Sequence, residues 1–206
     1  LGRTIAAATW GLANWRMIDV YRTNVLAGLG PLAPMWSLAV EEQFYLVVAV
    51  LFVVVRGRRW MATLAAVFAT VIVASVAIAL SLGDFEPRRE FGTDVRAGEL
   101  AAGALLALAL ARNPEWIGRH RRTASIAGAV ALGVALLVFV GIGPGHGWMT
   151  RGWIIGLAAV SVVVITGLLA DGPVATALSW RPLVALGRLS YSLYLVHWPV
   201  ILLIRD

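Results

Sequence analysis

Trp36-Ser37-Leu38-Ala39-Val40-Glu41-Glu42-Gln43-Phe44-Tyr45 opens an apolar run that continues to residue 55 and is closed by Arg56, Arg58 and Arg59. Twenty helical residues cover roughly 30 Å, the thickness of a bilayer's hydrocarbon core. Working outward, four further runs read the same way, over residues 60–82, 93–111, 123–142 and 152–169. Those at 60–82, 123–142 and 152–169 carry no charge at all. Partial helices at 1–15 and 189–204 bring the expectation to about seven passes. No alternating strand pattern runs long enough for a barrel, and open backbone in lipid would leave polar groups unsatisfied. The expected fold class is therefore all-α, a polytopic transmembrane helix bundle.

Composition agrees. Of 206 residues, 60% are hydrophobic and 14% charged, where soluble domains run about 45–50% and 25%. Mean hydropathy is +0.85. These values exclude a disordered chain, a coiled coil and an ordinary soluble enzyme. The absence of cysteine excludes disulfides, thiolate metal sites and cysteine nucleophiles. Net charge is +6, and all 17 basic residues are arginine. A basic balance can signal nucleic acid, but here the charges cluster between apolar runs, so no nucleic-acid partner is expected. Nine arginines crowd 56–59, 112–122 and 181–188 against Glu115 and Asp171. The positive-inside rule places those loops in the cytoplasm and 19–35, 83–92 and 143–151 outside. Eight of the nine tryptophans fall near a predicted end or in a loop, as interfacial residues do, with Trp198 the exception. The chain begins at Leu1 inside an apolar stretch and ends at Asp206 after a short one. The expectation is a piece of a larger membrane domain, truncated at both ends.

Ionisable residues inside apolar spans are costly, about 2.5–3.5 kcal/mol at a span's centre on insertion scales. Glu41, Glu42, Arg96 and Glu99 are such residues. At 100° per residue, Ser37, Glu41, Phe44 and Tyr45 share one stripe, while Glu42 lies roughly 140° from Ser37. Two readings of Glu41 stand: positioning a substrate hydroxyl or a catalytic base, or pairing with an arginine of another helix. In Thr93-Asp94-Val95-Arg96-Ala97-Gly98-Glu99, Thr93 can cap the helix and Asp94 suits its positive end. Arg96 can hold a phosphate or carboxylate by its fork, or pair with Glu41 or Glu99. Gly98 and Gly103 fit close helix packing. In Ser190-Tyr191-Ser192-Leu193-Tyr194-Leu195-Val196-His197-Trp198-Pro199, Ser190, Tyr194 and His197 fall on one side. His197 reads as a proton carrier or a packing residue, and Pro199 predicts a kink. His120 and His146 read as loop residues, and three separated histidines make no metal site. No phosphate-cradling glycine loop is found, since Gly141-Ile142-Gly143-Pro144-Gly145 precedes no strand–helix unit. By the derived topology the unusual polar residues converge on the outer half of the membrane.

The stretch from Trp36 to Tyr45 resembles the strongest motif of the acyltransferase 3 family, multi-pass bacterial O-acyltransferases of peptidoglycan, lipopolysaccharide and other surface glycans. Residues 93–107 resemble the family's Asp-x-Arg…Gly-x-Leu-x-Ala segment, and residues 186–199 its late helix. The three motifs stand in the family's order across nearly the whole chain. The resemblance implies one domain over 1–206, the later two-thirds of the family's unit. It implies a bacterial inner-membrane enzyme with no bound cofactor that uses acyl-CoA, usually acetyl-CoA, as donor. Its partners would be membrane lipid and an extracytoplasmic glycan or glycolipid acceptor. It implies Glu41, Ser37 and Arg96 as catalytic candidates, and Trp36, Tyr45, Tyr194 and His197 as substrate-binding ones. The family's histidine base on its first helix, preceded by an arginine, has no counterpart here, and neither does its Phe-Phe…Ser-Gly segment. The rival class is a secondary transporter or flippase, with Glu41, Arg96 and His197 along a proton-coupled path.

Overall fold

The computed structural model describes residues 2–23, 30–83, 86–141 and 154–205, and among them there are helices and turns but no strand. The expected outer loop at 143–151 lies outside the described residues, as does His146. In chain order the helices are α1 (Gly2–Thr9), α2 (Ala13–Thr23), α3 (Met35–Val54), α4 (Trp60–Ser81), α5 (Pro87–Phe91) and α6 (Thr93–Arg112). They continue with α7 (Trp116–Arg119), α8 (Arg121–Gly141), α9 (Ile154–Leu168), α10 (Pro173–Leu178) and α11 (Arg181–Arg205). A 3-10 turn, Gly30–Leu32, precedes α3.

Four of these helices are long and apolar enough to cross a membrane: α3, α4, α8 and residues 181–204 of α11. Helix α6 has the length, at 20 residues, but Asp94, Arg96, Glu99 and Arg112 make it the most polar of the long central helices. Helix α9 is apolar but has only 15 described residues. Outward-facing side chains are apolar, among them Leu46, Val50, Phe139, Val140 and Leu203. A soluble fold would hide these; in a bilayer they face hydrocarbon.

Two expectations are corrected. Residues 1–15 do not form one helix: Gly11, at φ +64°, breaks the run into α1 and α2. Only glycine adopts that conformation without steric cost. Arg181 and Arg188 are not loop residues but lie in the first turns of α11, which begins eight residues before the expected start. The helix runs through Pro199, whose missing N–H leaves its assignment unbroken.

Packing follows residue size. Helices α4 and α6 pack along their lengths, as do α8 and α9, and α6 also meets α9. Gly128 of α8 and Gly167 of α9 bring their backbones together; a Cβ on Gly128 would stand 2.5 Å from the Gly167 Cα. Gly98 of α6 is likewise covered by Ser75 of α4, 2.8 Å from where a Cβ would be. Small residues allow such approach, and in lipid this close packing replaces the hydrophobic effect. Gly103 has open space instead and takes no part. Leu64, Phe68 and Ala101 form the buried centre between α4 and α6. Ala13, Met17, Ile18, Ala39 and Phe91 form a second centre where α2, α3 and α5 meet.

Candidate functional site

The second apolar centre carries the site. Phe91 holds Trp36 edge-on at 5.0 Å between ring centroids and Tyr21 at 5.3 Å. Three polar side chains, buried Asn14 and half-buried Gln43 and Thr93, fasten the same region in a closed ring. Asn14 Nδ2 donates to Thr93 Oγ1 at 2.8 Å, Thr93 Oγ1 donates to Gln43 Oε1 at 2.5 Å, and Gln43 Nε2 donates to Asn14 Oδ1 at 3.0 Å. Asn14 also donates to Phe91 O at 2.9 Å, and Gln43 to Gly11 O at 2.6 Å. Each amide uses both hydrogens and its oxygen, so the orientation of both amides is fixed by the ring. Thr93 therefore does not cap α6. The N-cap position is Gly92, and the threonine hydroxyl is used in the ring. Asp94 is paired with Arg88 at 2.5 Å.

Helix α11 joins this assembly through one face. Trp198 Nε1 donates to Gly30 O at 3.0 Å, and Tyr194 Oη donates to Pro34 O at 2.9 Å. The Ser37 hydroxyl lies 2.6 Å from Tyr194 Oη. Ser37 Oγ also reaches Pro34 O at 3.3 Å, so the two hydroxyls and this carbonyl form one cluster in which either hydroxyl can donate to the other. His197 Nδ1 lies 2.5 Å from the Tyr194 carbonyl, which can only accept. Nδ1 therefore carries a proton, and in the neutral ring Nε2 is the acceptor.

These elements form an open pocket of about 310 Å³ lined by Tyr21, Trp36, Glu90, Tyr194, His197 and Trp198, among others. Apolar walls with a few convergent polar groups are the usual form of a small-molecule site. Glu90 is exposed at the pocket rim, where desolvation by the surrounding atoms pushes its acid up and the positive charge of Arg96 opposes that shift. Arg96 lies 5.8 Å from the Trp36 ring centre and 3.1 Å from Glu99.

The structure thus brings together Trp36, Ser37, Tyr194 and His197. Glu41 is half-buried one turn below Ser37 and accepts a long bond, 3.4 Å, from Tyr45 Oη. Arg96 takes Glu99 as its ion-pair partner. Glu42 is exposed, with its carboxylate beside Gly11 at the α1–α2 break. Sequence reasoning did not single out Asn14, Gln43 and Glu90. Gln43 was inside the quoted motif, and its amide amid an apolar run was a usable signal.

A family model for an acyltransferase domain matches residues 3–206. The chain belongs to the acyltransferase 3 family. Relatives of the chain include O-acetyltransferase OatA of Staphylococcus aureus strain NCTC 8325, 32% identical over 99% of the chain. Peptidoglycan O-acetyltransferase OatA of Listeria monocytogenes is 28% identical over 96% of it. The chain covers 35% and 33% of those proteins, so it spans about a third of the relatives it matches. No solved structure gives a significant match.

Proposed function

We propose that the protein carrying this chain is an integral O-acyltransferase of a bacterial inner membrane. It takes an acyl group, acetyl in the first instance, from acyl-CoA and passes it to a hydroxyl of a cell-wall glycan. The names of the relatives support the acetyl group and a peptidoglycan acceptor. The observation that carries the reading is the cavity shared by Trp36, Glu90, Tyr194 and His197. It lies at the end of the bundle opposite the arginine-rich loops, the end that the positive-inside rule assigns to the outside.

In this reading the aromatic rings of Trp36, Trp198 and Tyr21 receive the apolar faces of sugar rings. His197 Nε2 accepts the hydrogen of the acceptor hydroxyl, and Glu90 takes a second sugar hydroxyl. The acceptor oxygen attacks the carbonyl of the acyl thioester or of an acyl-enzyme formed from it, its proton passes to a base, and the thiolate or the acyl-bearing enzyme group leaves as its bond to the acyl carbon breaks. Ser37 and Tyr194 are positioning residues that hold α11 against α3. Arg96 steadies Trp36 from one side. Glu41, with Tyr45, sits one turn below Ser37 on the stripe that faces the site, where its charge supports the base.

The test uses membranes containing the intact protein, radiolabelled acetyl-CoA and a peptidoglycan fragment. Transfer of label is expected, reduced about 100-fold in Glu41→Gln and in His197→Gln, with Glu42→Gln near wild type. Transfer that survives both of the first two changes would overturn the assignment.

A further inference from the structure

At the other end of α6, roughly 30 Å from the aromatic pocket by helix length, Arg112 meets the α3–α4 turn. Arg58, Arg59 and Arg112 line a cavity of about 360 Å³ with Trp60, Met61 and Ala62, and no carboxylate lines it. Among the described residues, the three guanidinium groups have no hydrogen bond or ion pair within the chain. The outer arginines differ: Arg16, Arg22, Arg88 and Arg96 are paired with Asp19, Glu86, Asp94 and Glu99. Three unpaired cations in one concavity repel each other, and a bound anion relieves that repulsion. The guanidinium fork matches phosphate oxygens in particular.

Arg112 also lines a second, mostly apolar cavity of about 480 Å³, with Leu106, Leu110, Trp116 and Thr166 along the α6–α9 groove. Charge and hydrocarbon requirements therefore meet at one residue. We propose that this pair of cavities binds an anionic phospholipid of the cytoplasmic leaflet. Its phosphate lies among Arg58, Arg59 and Arg112, and one acyl chain lies along Leu106 and Leu110. Basic pockets between helices on the cytoplasmic side bind phospholipid headgroups in this way. Trp60 and Trp116 mark the interfacial level at which such a headgroup rests.

The test is native mass spectrometry of the purified intact protein with phosphatidylglycerol, with phosphatidylcholine, and with coenzyme A as competitor. The wild type should retain phosphatidylglycerol in preference to phosphatidylcholine. The Arg58→Gln/Arg59→Gln/Arg112→Gln variant, with unchanged helicity, should lose that binding by about tenfold or more. If the variant does not fold, the wild type decides alone: inorganic pyrophosphate must displace phosphatidylglycerol. Retained binding in a folded variant, a wild type with no preference or no displacement, or displacement by coenzyme A at concentrations where pyrophosphate has no effect would each overturn the proposal.

Discussion

Ser37 and Tyr194 tie the first transmembrane motif to the last, with their hydroxyl oxygens 2.6 Å apart across 157 residues of chain. Both hydroxyls also reach Pro34 O, Tyr194 at 2.9 Å and Ser37 at 3.3 Å, and this cluster secures α11 to the start of α3. Tyr194→Phe should remove both of the bonds that its phenol makes here and leave the Ser37 hydroxyl with Pro34 O alone, at 3.3 Å. The expected cost is about 1–3 kcal/mol, against about 1 kcal/mol for Ser37→Ala. Thermal unfolding of the detergent-solubilised protein measures both, and a Ser37→Ala loss larger than that of Tyr194→Phe would contradict Tyr194 as the main tie between α11 and α3.

The Asn14–Thr93–Gln43 ring makes a sharper demand, because Asn14 is 0% exposed. Asn14→Ala leaves Phe91 O, Thr93 and Gln43 each short of a partner, a loss of about 2 kcal/mol or more. The expected result is lower yield and lower thermal stability, with Trp36 fluorescence altered because Phe91 supports that ring. Stability equal to wild type would show that the ring does not hold the site.

Two glycines of α6 separate packing from propensity. Gly98→Ala would force a Cβ to 2.8 Å from Ser75, whereas Gly103 faces open space. Gly98→Ala should destabilise, typically by 1–3 kcal/mol as an overpacked core does. Gly103→Ala should be neutral or gain up to about 1 kcal/mol from helix propensity. Equal responses in a melting series would remove α4–α6 contact as the reason for Gly98.

Much of this was legible in the sequence, for reasons that also explain the gaps. Helices α3, α4, α8 and α9 begin and end within a few residues of the expected spans, because hydrocarbon thickness sets the length of an apolar run. The α1–α2 break was hidden because a lone glycine between tryptophan and leucine gives no sign of whether it stays helical. The start of α11 was displaced because Arg181 and Arg188 were counted as loop charges, although an arginine at a helix end reaches the interface equally well. Trp36, Ser37, Tyr194 and His197 were each visible within a motif. Their meeting, and the parts played by Asn14 and Gln43, depends on contacts between residues 29 to 168 apart in sequence, which no periodicity reports.

Acid should loosen the outer side through Glu86. The hydrogen bonds from Arg22 hold its carboxyl below the ordinary glutamate range. A depressed folded-state value means the contribution is complete above the unfolded glutamate range and is lost as pH falls through the folded value. The pair is largely exposed, so the loss is below about 1 kcal/mol. Melting temperature against pH should show a shallower acid limb in Glu86→Gln than in wild type. An unchanged limb would mean that the pair contributes nothing.

Acceptor recognition by the aromatic pocket is the central claim, and steady-state kinetics of Trp36→Ala in the intact protein test it most directly. Donor and acceptor concentrations are varied separately. With the pocket as acceptor site, the KM for the glycan rises about tenfold while the KM for acetyl-CoA stays at the wild-type value. A change confined to the acetyl-CoA KM, or wild-type values for both, would contradict it.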